Sequence, residues 1–238
     1  MLRIDAPEIL DSEACLPQDA QAVLRDIGRV NRWFGGVSTT QKMIERAAQR
    51  IRTKHFSLLE VAAGLGEVPA QVRKKLARHG ITLDVTLLDV ALSHLPVGNT
   101  ASIHLHGPSR SVVADALTLP FGDGSFDLVS CNLFAHHLNP EQLLQFVKEG
   151  LRVCRRALLI NDLVRHPLHL ALAYAGFPLM RNRVAWLDGL TSVRRAYVPD
   201  EMRRMLADGL PKQMSPRIEI SRYYLFRMGV IVWRTPTA

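Results

Sequence analysis

The sequence predicts an α/β fold, a mostly parallel sheet with helices on both faces. Three observations carry that prediction. Residues 57–69 (S-L-L-E-V-A-A-G-L-G-E-V-P) read as a buried strand, a turn of small residues and a helix entered through Pro69. Short apolar runs at 83–88, 112–114, 126–131 and 157–161 alternate with amphipathic or loop segments, in the order that builds parallel sheets. The run 157–161 is apolar up to its closing Asn161, as a strand buried on both faces should be.

Composition narrows the class. The chain has 238 residues and 47% hydrophobic content, enough for one sizeable core. Its first residues, M-L-R-I-D-A-P-E, show no apolar signal core, and three scattered cysteines (Cys15, Cys131, Cys154) argue for a reducing compartment. A cytoplasmic protein without a disulfide framework or zinc site is expected. The net charge of +8 is unevenly spread. Residues 1–150 hold 15 Lys/Arg against 16 Asp/Glu, and residues 151–238 hold 15 against 6. That excess points either to an anionic partner or to a solvated basic face.

Taken in order, residues 17–33 and 40–52 carry apolar side chains at helical spacing, and Phe34-Gly35-Gly36 separates the two helices. We expect residues 1–54 to form a helical cap over the site, with Arg32 and Trp33 at its mouth. Strand 1 ends at Glu60 and Val61, and its helix runs from Glu67 to His79. Strand 2, 83–88, closes on Asp89 and Val90, with a helix starting near Ala91. The loop 100–110 holds His104 and His106 without an accompanying acid, a poor metal site. Strand 3 ends at Asp115-Ala116. Strand 4 runs from Phe126 to Cys131, and Asn139-Pro140-Glu141 opens a helix to about Cys154. Residues 165–180 are strongly apolar, yet too short and Pro-interrupted to span a bilayer. With the tract up to 208 they read as a lid. A helix opens at Pro199, and 217–221 with 224–233 read as a closing antiparallel pair.

The glycine turn decides what kind of ligand fits. A dinucleotide site wants G-x-G-x-x-G, but here Pro69 stands at the third glycine and Glu67 at the helix entrance. An acid there repels a pyrophosphate. Asp89, at the end of strand 2, can accept two hydroxyl hydrogen bonds from a ribose diol; its alternative is an N-cap.

Glu60-x-Ala62-x-Gly64-x-Gly66 resembles motif I of the class I S-adenosylmethionine-dependent methyltransferases, with Ala62 in place of the first glycine. Asp115-Ala116, Leu119-Pro120-Phe121, Ser125-Phe126-Asp127-Leu128-Val129, His136-His137-Leu138 and Arg152-Val153 follow the same pattern over about residues 55–165. The resemblance implies a Rossmann-like fold with a seven-stranded sheet, residues 55–238 as the methyltransferase domain, and 163–208 as the lid. It implies S-adenosylmethionine as cofactor, S-adenosylhomocysteine as product, and no metal. By its pattern Glu60, Ala62, Gly64, Gly66, Asp89 and Val90 hold the methionine and ribose parts. Asp115 and Ala116 hold the adenine, and Cys131 and Asn132 lie at the methionine end.

Methyl transfer to a hydroxyl needs a base. His136 and His137 are the candidates, with Asp162 as a competing base, an orienting group or an N-cap. Arg194, Arg195 and Tyr197 form a polar cluster able to grip an acidic aromatic acceptor, or else ordinary surface. A small-molecule O-methyltransferase leads, with peripheral membrane contact left open. Two other readings stand beside it: a nucleic-acid methyltransferase using the basic C-terminal third, and a cofactor-binding scaffold. The first lacks a recognisable RNA-binding module. Oligomeric state is not legible.

Overall fold

The computed structural model describes residues 1–11, 17–96, 110–176, 182–211 and 216–234. Seven strands form one sheet: β1 (His55–Val61), β2 (Thr82–Asp89), β3 (Arg110–Val113), β4 (Phe126–Asn132), β5 (Cys154–Leu163), β6 (Arg217–Tyr224) and β7 (Arg227–Trp233). Their spatial order is β3-β2-β1-β4-β5-β7-β6. The first five run parallel, while β7 pairs antiparallel with both β5 and β6. The order reverses between β1 and β4. In open α/β sheets a ligand crevice forms at that point, beyond the carboxyl ends of the strands.

Among the described residues, seven helices accompany the sheet: α1 (Pro17–Trp33), α2 (Gly36–Ile51), α3 (Glu67–Ala77), α4 (Pro140–Val153), α5 (Pro167–Ala175), α6 (Arg183–Arg195) and α7 (Pro199–Gly209). Period-two alternation sends Leu59, Val129, Leu158 and Ile160 into a core shared with α4 and α7. It sends Leu58, Leu128, Ala157 and Leu159 into a second core shared with α2 and α3. Asn139 starts α4 with a reciprocal cap: its side chain accepts from the Gln142 N–H, and the Gln142 amide oxygen accepts from the Asn139 N–H.

Several expectations shift. The anticipated two-helix cap divides, because α2 buries Met43, Ile44, Ala47 and Ala48 against the sheet, whereas α1 lies over the strand ends and lines the cavity there with Leu24 and Ile27. Helix α2 also starts at Gly36 rather than at Thr40, since Gly35 takes the left-handed conformation (φ 83°) that turns the chain. The helix expected near Ala91 is a single 3₁₀ turn, Leu92–His94. Part of the lid, Arg183–Arg195, is a full helix. The expected loop 100–110, with His104 and His106, lies outside the described residues except for Arg110, which begins β3. No described helix is long and apolar enough to cross a membrane.

Candidate active site

A cavity of about 660 Å³ opens above the carboxyl ends of β1, β2, β4 and β5. Its floor is the turn after β1. Ala62 (φ 53°), Gly64 (φ 52°) and Gly66 (φ 70°) all adopt left-handed backbone there. For Gly64 and Gly66 this conformation is free; Ala62 carries a mild strain that the turn enforces. A Cβ on Gly64 would sit 3.2 Å from the Leu24 side chain, so α1 crosses the turn closely. The Asp89 carboxylate accepts from the Gly64 N–H at 2.9 Å and from the Ala91 N–H at 3.3 Å, and lies 3.0 Å from His94 Nδ1. It therefore shapes the turn as well as facing the cavity.

Glu60 is buried at the centre of the floor. One carboxylate oxygen accepts from the Ser130 hydroxyl, the other from Asn132 Nδ2 at 2.5 Å. Burial nevertheless dominates and pushes its pKa up to about 7. Asn132 is held in turn: its oxygen accepts from Thr40 Oγ1 (2.8 Å) and Asn161 Nδ2 (2.7 Å). Beyond Asn161 lies Arg227, buried, donating to Asn31 Oδ1 at 2.6 Å, the Phe34 carbonyl at 3.2 Å and Asn161 Oδ1 at 3.4 Å. Its partners are neutral, and burial lowers its pKa to about 10.

The second wall is polar and assembled from afar. Residues 135–137 form a 3₁₀ turn after β4. His136 is buried there, Nδ1 2.7 Å from Asp162 Oδ1 and Nε2 3.2 Å from Glu8 Oε1. Burial opposes its charge, but Asp162 and Glu8 outweigh that and raise its pKa to about 10. His137 places Nδ1 2.6 Å from Asp11 Oδ2 and Nε2 3.5 Å from Glu8 Oε2. The N-terminal segment that delivers Glu8 and Asp11 is tied down along its length. Arg3 donates to the carbonyls of His136, Leu138 and Arg195, and Asp188 on α6 accepts from the N–H groups of Ile9 and Leu10. An apolar wall comes from α5 and α6, with Leu172, Ala173, Trp186 and Val193.

Of the expected cofactor residues, Glu60, Ala62, Gly64, Asp89, Val90 and Asn132 line this one cavity. Gly66 lies behind them as the N-cap of α3. Cys131 is buried in the core, its thiol pKa pushed well up by burial. Asp115, exposed, accepts from the Leu117 N–H, and Ala116 is buried beneath it; neither lines the cavity.

The expected catalytic and acceptor residues need correction. His136 is held as an imidazolium between two carboxylates, which disqualifies it as the base at neutral pH. Asp162 is its buried counter-ion, accepting also from the His136 and Leu163 N–H groups. His137 remains at the cavity wall. Arg195 spends its guanidinium on the carbonyls of Ala6, His136 and His137, and Tyr197 donates to the Leu138 carbonyl. Neither reaches the cavity, and Arg194 points to solvent. Trp33 lines the mouth, while the exposed Arg32 does not. Much of the basic excess is spent in the same way. Arg152, Arg155 and Arg165 pair with Glu149, Asp127 and Glu201, and Arg234 caps the carbonyls of Arg152 and Cys154. Sequence reasoning missed Glu8, Asp11, Asn31 and Arg227, which sit in no local motif.

A family model described as a methyltransferase domain matches residues 59–157, the span from β1 through the start of β5. Residues 59–157 therefore form a class I S-adenosylmethionine-dependent methyltransferase domain. S-adenosylmethionine is the cofactor of this methyltransferase, and S-adenosylhomocysteine its product. Among solved structures, the plantazolicin methyltransferase BpumL, in complex with a monoazolic desmethylPZN analog and SAH, superposes with a TM-score of 0.68. Its identity is 13%, over 92% of this chain and 91% of that one. A SAM-dependent methyltransferase from Aquifex aeolicus gives 0.60 at 15% identity, over 92% and 99%. An O-methyltransferase family 2 protein from Planctomyces limnophilus, in complex with apigenin, gives 0.54 at 17%, over 76% and 50%. At such identities the likeness shows the fold. A search of curated protein sequences finds no significant match.

The residues present fit the cofactor. Two glycines keep the floor open, Asp89 ends β2 at the cavity, and Glu67 at the α3 entrance disfavours a phosphate while tolerating a sulfonium cation.

Proposed function

We propose that the methyltransferase acts on a small acceptor with a hydrophobic aromatic body, of phenol or quinol type, and that the methyl goes to oxygen. The observation that carries this reading is the contrast within the cavity between the apolar side chains Leu172, Trp186 and Val193 from α5 and α6 and the polar corner at Glu8 and His137. An aromatic body packs against Leu172 and Trp186, which orients its hydroxyl toward that corner.

The cofactor supplies a methyl on a sulfonium, already a good leaving group, so the protein's part is positioning, exclusion of water and management of one proton. The α1 helix, the lid and the N-terminal segment exclude water. His137, its Nδ1 held by Asp11, stands with Glu8 where a hydroxyl proton has to leave. An acidic group elsewhere on the acceptor would meet Arg227, not Arg194 or Arg195. The neighbours solved with a monoazolic desmethylPZN analog and with apigenin support a small-molecule acceptor. Exposed Leu168 and Tyr174 on α5 are compatible with collecting an apolar acceptor at a membrane surface.

The test is incubation with S-adenosylmethionine and a panel of phenols, quinols, aromatic amines and RNA, with products assigned by mass spectrometry and NMR. O-methylated phenols or quinols are expected. Methyl transfer confined to amines, carbon or RNA would overturn the reading. Calorimetric titration with S-adenosylhomocysteine, on wild type and Asp89→Ala, runs in parallel. The variant is expected to bind at least about tenfold more weakly, since a charge-assisted hydrogen bond contributes roughly 1.5–3 kcal/mol.

A further inference from the structure

We propose that Glu8, His136 and His137 form a binding site for one divalent transition-metal cation of the zinc class, open toward the acceptor end of the cavity. Three side chains converge there, Glu8 arriving from more than a hundred residues before the adjacent His136 and His137. One ligand atom from each of Glu8, His136 and His137 lies within 4.8 Å of those of the other two. Glu8 sits between the two rings, Oε1 3.2 Å from one Nε2 and Oε2 3.5 Å from the other.

The second observation concerns what lies behind the rings. Each imidazole has its Nδ1 on a carboxylate, His136 on Asp162 at 2.7 Å and His137 on Asp11 at 2.6 Å. With Nδ1–H donating outward, Nε2 of each ring faces the shared centre, and a bound cation would displace the Nε2 proton that His136 holds in the metal-free protein. That carboxylate–histidine pairing is the one that orients imidazoles for metal, and here it occurs twice. The third observation is an orphaned atom: His136 Nε2 is buried and, despite its nearness to Glu8, makes no hydrogen bond. A buried nitrogen 3.2 Å from a carboxylate yet not hydrogen-bonded to it calls for an explanation, and an ion between the two is one.

The scaffold is rigid enough to hold such a centre. Arg195 and Arg3 clamp the carbonyls of the 3₁₀ turn, and Ser192 Oγ donates to Glu8 Oε1 at 2.7 Å. Three carboxylates (Glu8, Asp11, Asp162) surround two imidazoles, so a dication is electrostatically favoured even with the two guanidiniums nearby. Two ring nitrogens and one carboxylate, without thiolate, suit Zn²⁺ or its first-row neighbours rather than Ca²⁺ or Mg²⁺. Three protein ligands leave a position free on the cavity side, as in catalytic rather than structural sites.

The role of this cation rests on the proposed O-methylation; its binding does not. A hydroxyl oxygen of the acceptor would take the open position and its proton would leave to water rather than to His137 or Glu8, which the cation then occupies; the ionised oxygen forms its bond to the methyl carbon as the methyl–sulfur bond breaks and S-adenosylhomocysteine departs.

The experiment is metal analysis of the purified full chain by plasma mass spectrometry, followed by chelation and titration with Zn²⁺ and Co²⁺. Co²⁺ reports its coordination by visible absorption. One equivalent per chain is expected. Glu8→Gln and His137→Gln should weaken binding at least about 100-fold, and Asp11→Asn, which touches only the supporting carboxylate, roughly 10–100-fold. Near-UV circular dichroism screens each variant for folding, and the half-exposed position of Asp11 makes Asp11→Asn the safe variant if Glu8→Gln does not fold. Failure of folded wild type to bind either ion, or unchanged binding in all three variants, overturns the site. One-equivalent binding with no effect on methyl transfer supports the site and overturns only its assigned role.

Discussion

Glu60→Gln isolates the cost of burying a carboxylate under the cofactor turn. In the unfolded chain Glu60 ionises near its ordinary value of 4.5; in the fold, burial holds it protonated up to about 7. As pH rises from 4.5 to 7 the unfolded state loses its proton first, so the wild type loses stability across that window and no more above it. The shift corresponds to about 3 kcal/mol at 1.36 kcal/mol per unit. Glutamine keeps the hydrogen bonds, because its oxygen can accept from Asn132 Nδ2 and its amide can donate to Ser130 Oγ. The variant should therefore match the wild type near pH 4.5 and exceed it by about 3 kcal/mol at pH 8. Urea denaturation of both proteins at half-unit steps gives the difference directly, with other titrating groups cancelling. A pH-independent difference would mean that Glu60 is ionised in the fold throughout, and the burial argument would fail.

In the metal-free protein, Asp162→Asn leaves a buried imidazolium with one counter-ion fewer. Because the pKa of His136 is raised from 6.5 to about 10, its pairing supports the fold fully below pH 6.5 and is lost as pH climbs through 10. A destabilisation of about 3–5 kcal/mol is expected at pH 6, shrinking toward pH 10, in thermal melts of wild type and variant. Gly35→Ala asks for a side chain at φ 83° and puts its Cβ 2.6 Å from the Tyr224 Cβ. A loss of about 1–3 kcal/mol follows, several degrees in melting temperature. Gly189→Ala, within α6 and with no atom within 4 Å of a Cβ, should instead stabilise by about 0.5–1 kcal/mol, and equal melting temperatures for the two glycine variants would contradict the packing described.

Local chemistry determined the scaffold of this protein. Strand alternation, the Glu60-to-Gly66 turn, the Asn139 cap and the closing antiparallel pair are all written in contiguous residues, because backbone conformation and period-two burial are decided by near neighbours. The same holds for the cavity floor, where the ends of β1, β2 and β4 supply Glu60, Asp89 and Asn132. The acceptor side was legible only in pieces. His136, His137 and Asp162 are visible as titratable residues after strands, but whether one is base or buried ion depends on charges from elsewhere. Glu8 and Asp11 arrive from an N-terminal segment with no motif of its own. Arg194, Arg195 and Tyr197 look like a binding cluster in sequence, yet Arg195 and Tyr197 are spent on backbone carbonyls left open by an irregular turn. Arg227 looks like one basic residue among many and is instead a buried cation on the cavity wall. Partners across 58, 126 and 196 residues made those differences. Electrostatics and hydrogen-bond competition act through space, so tertiary structure alone decided which polar groups remain for chemistry.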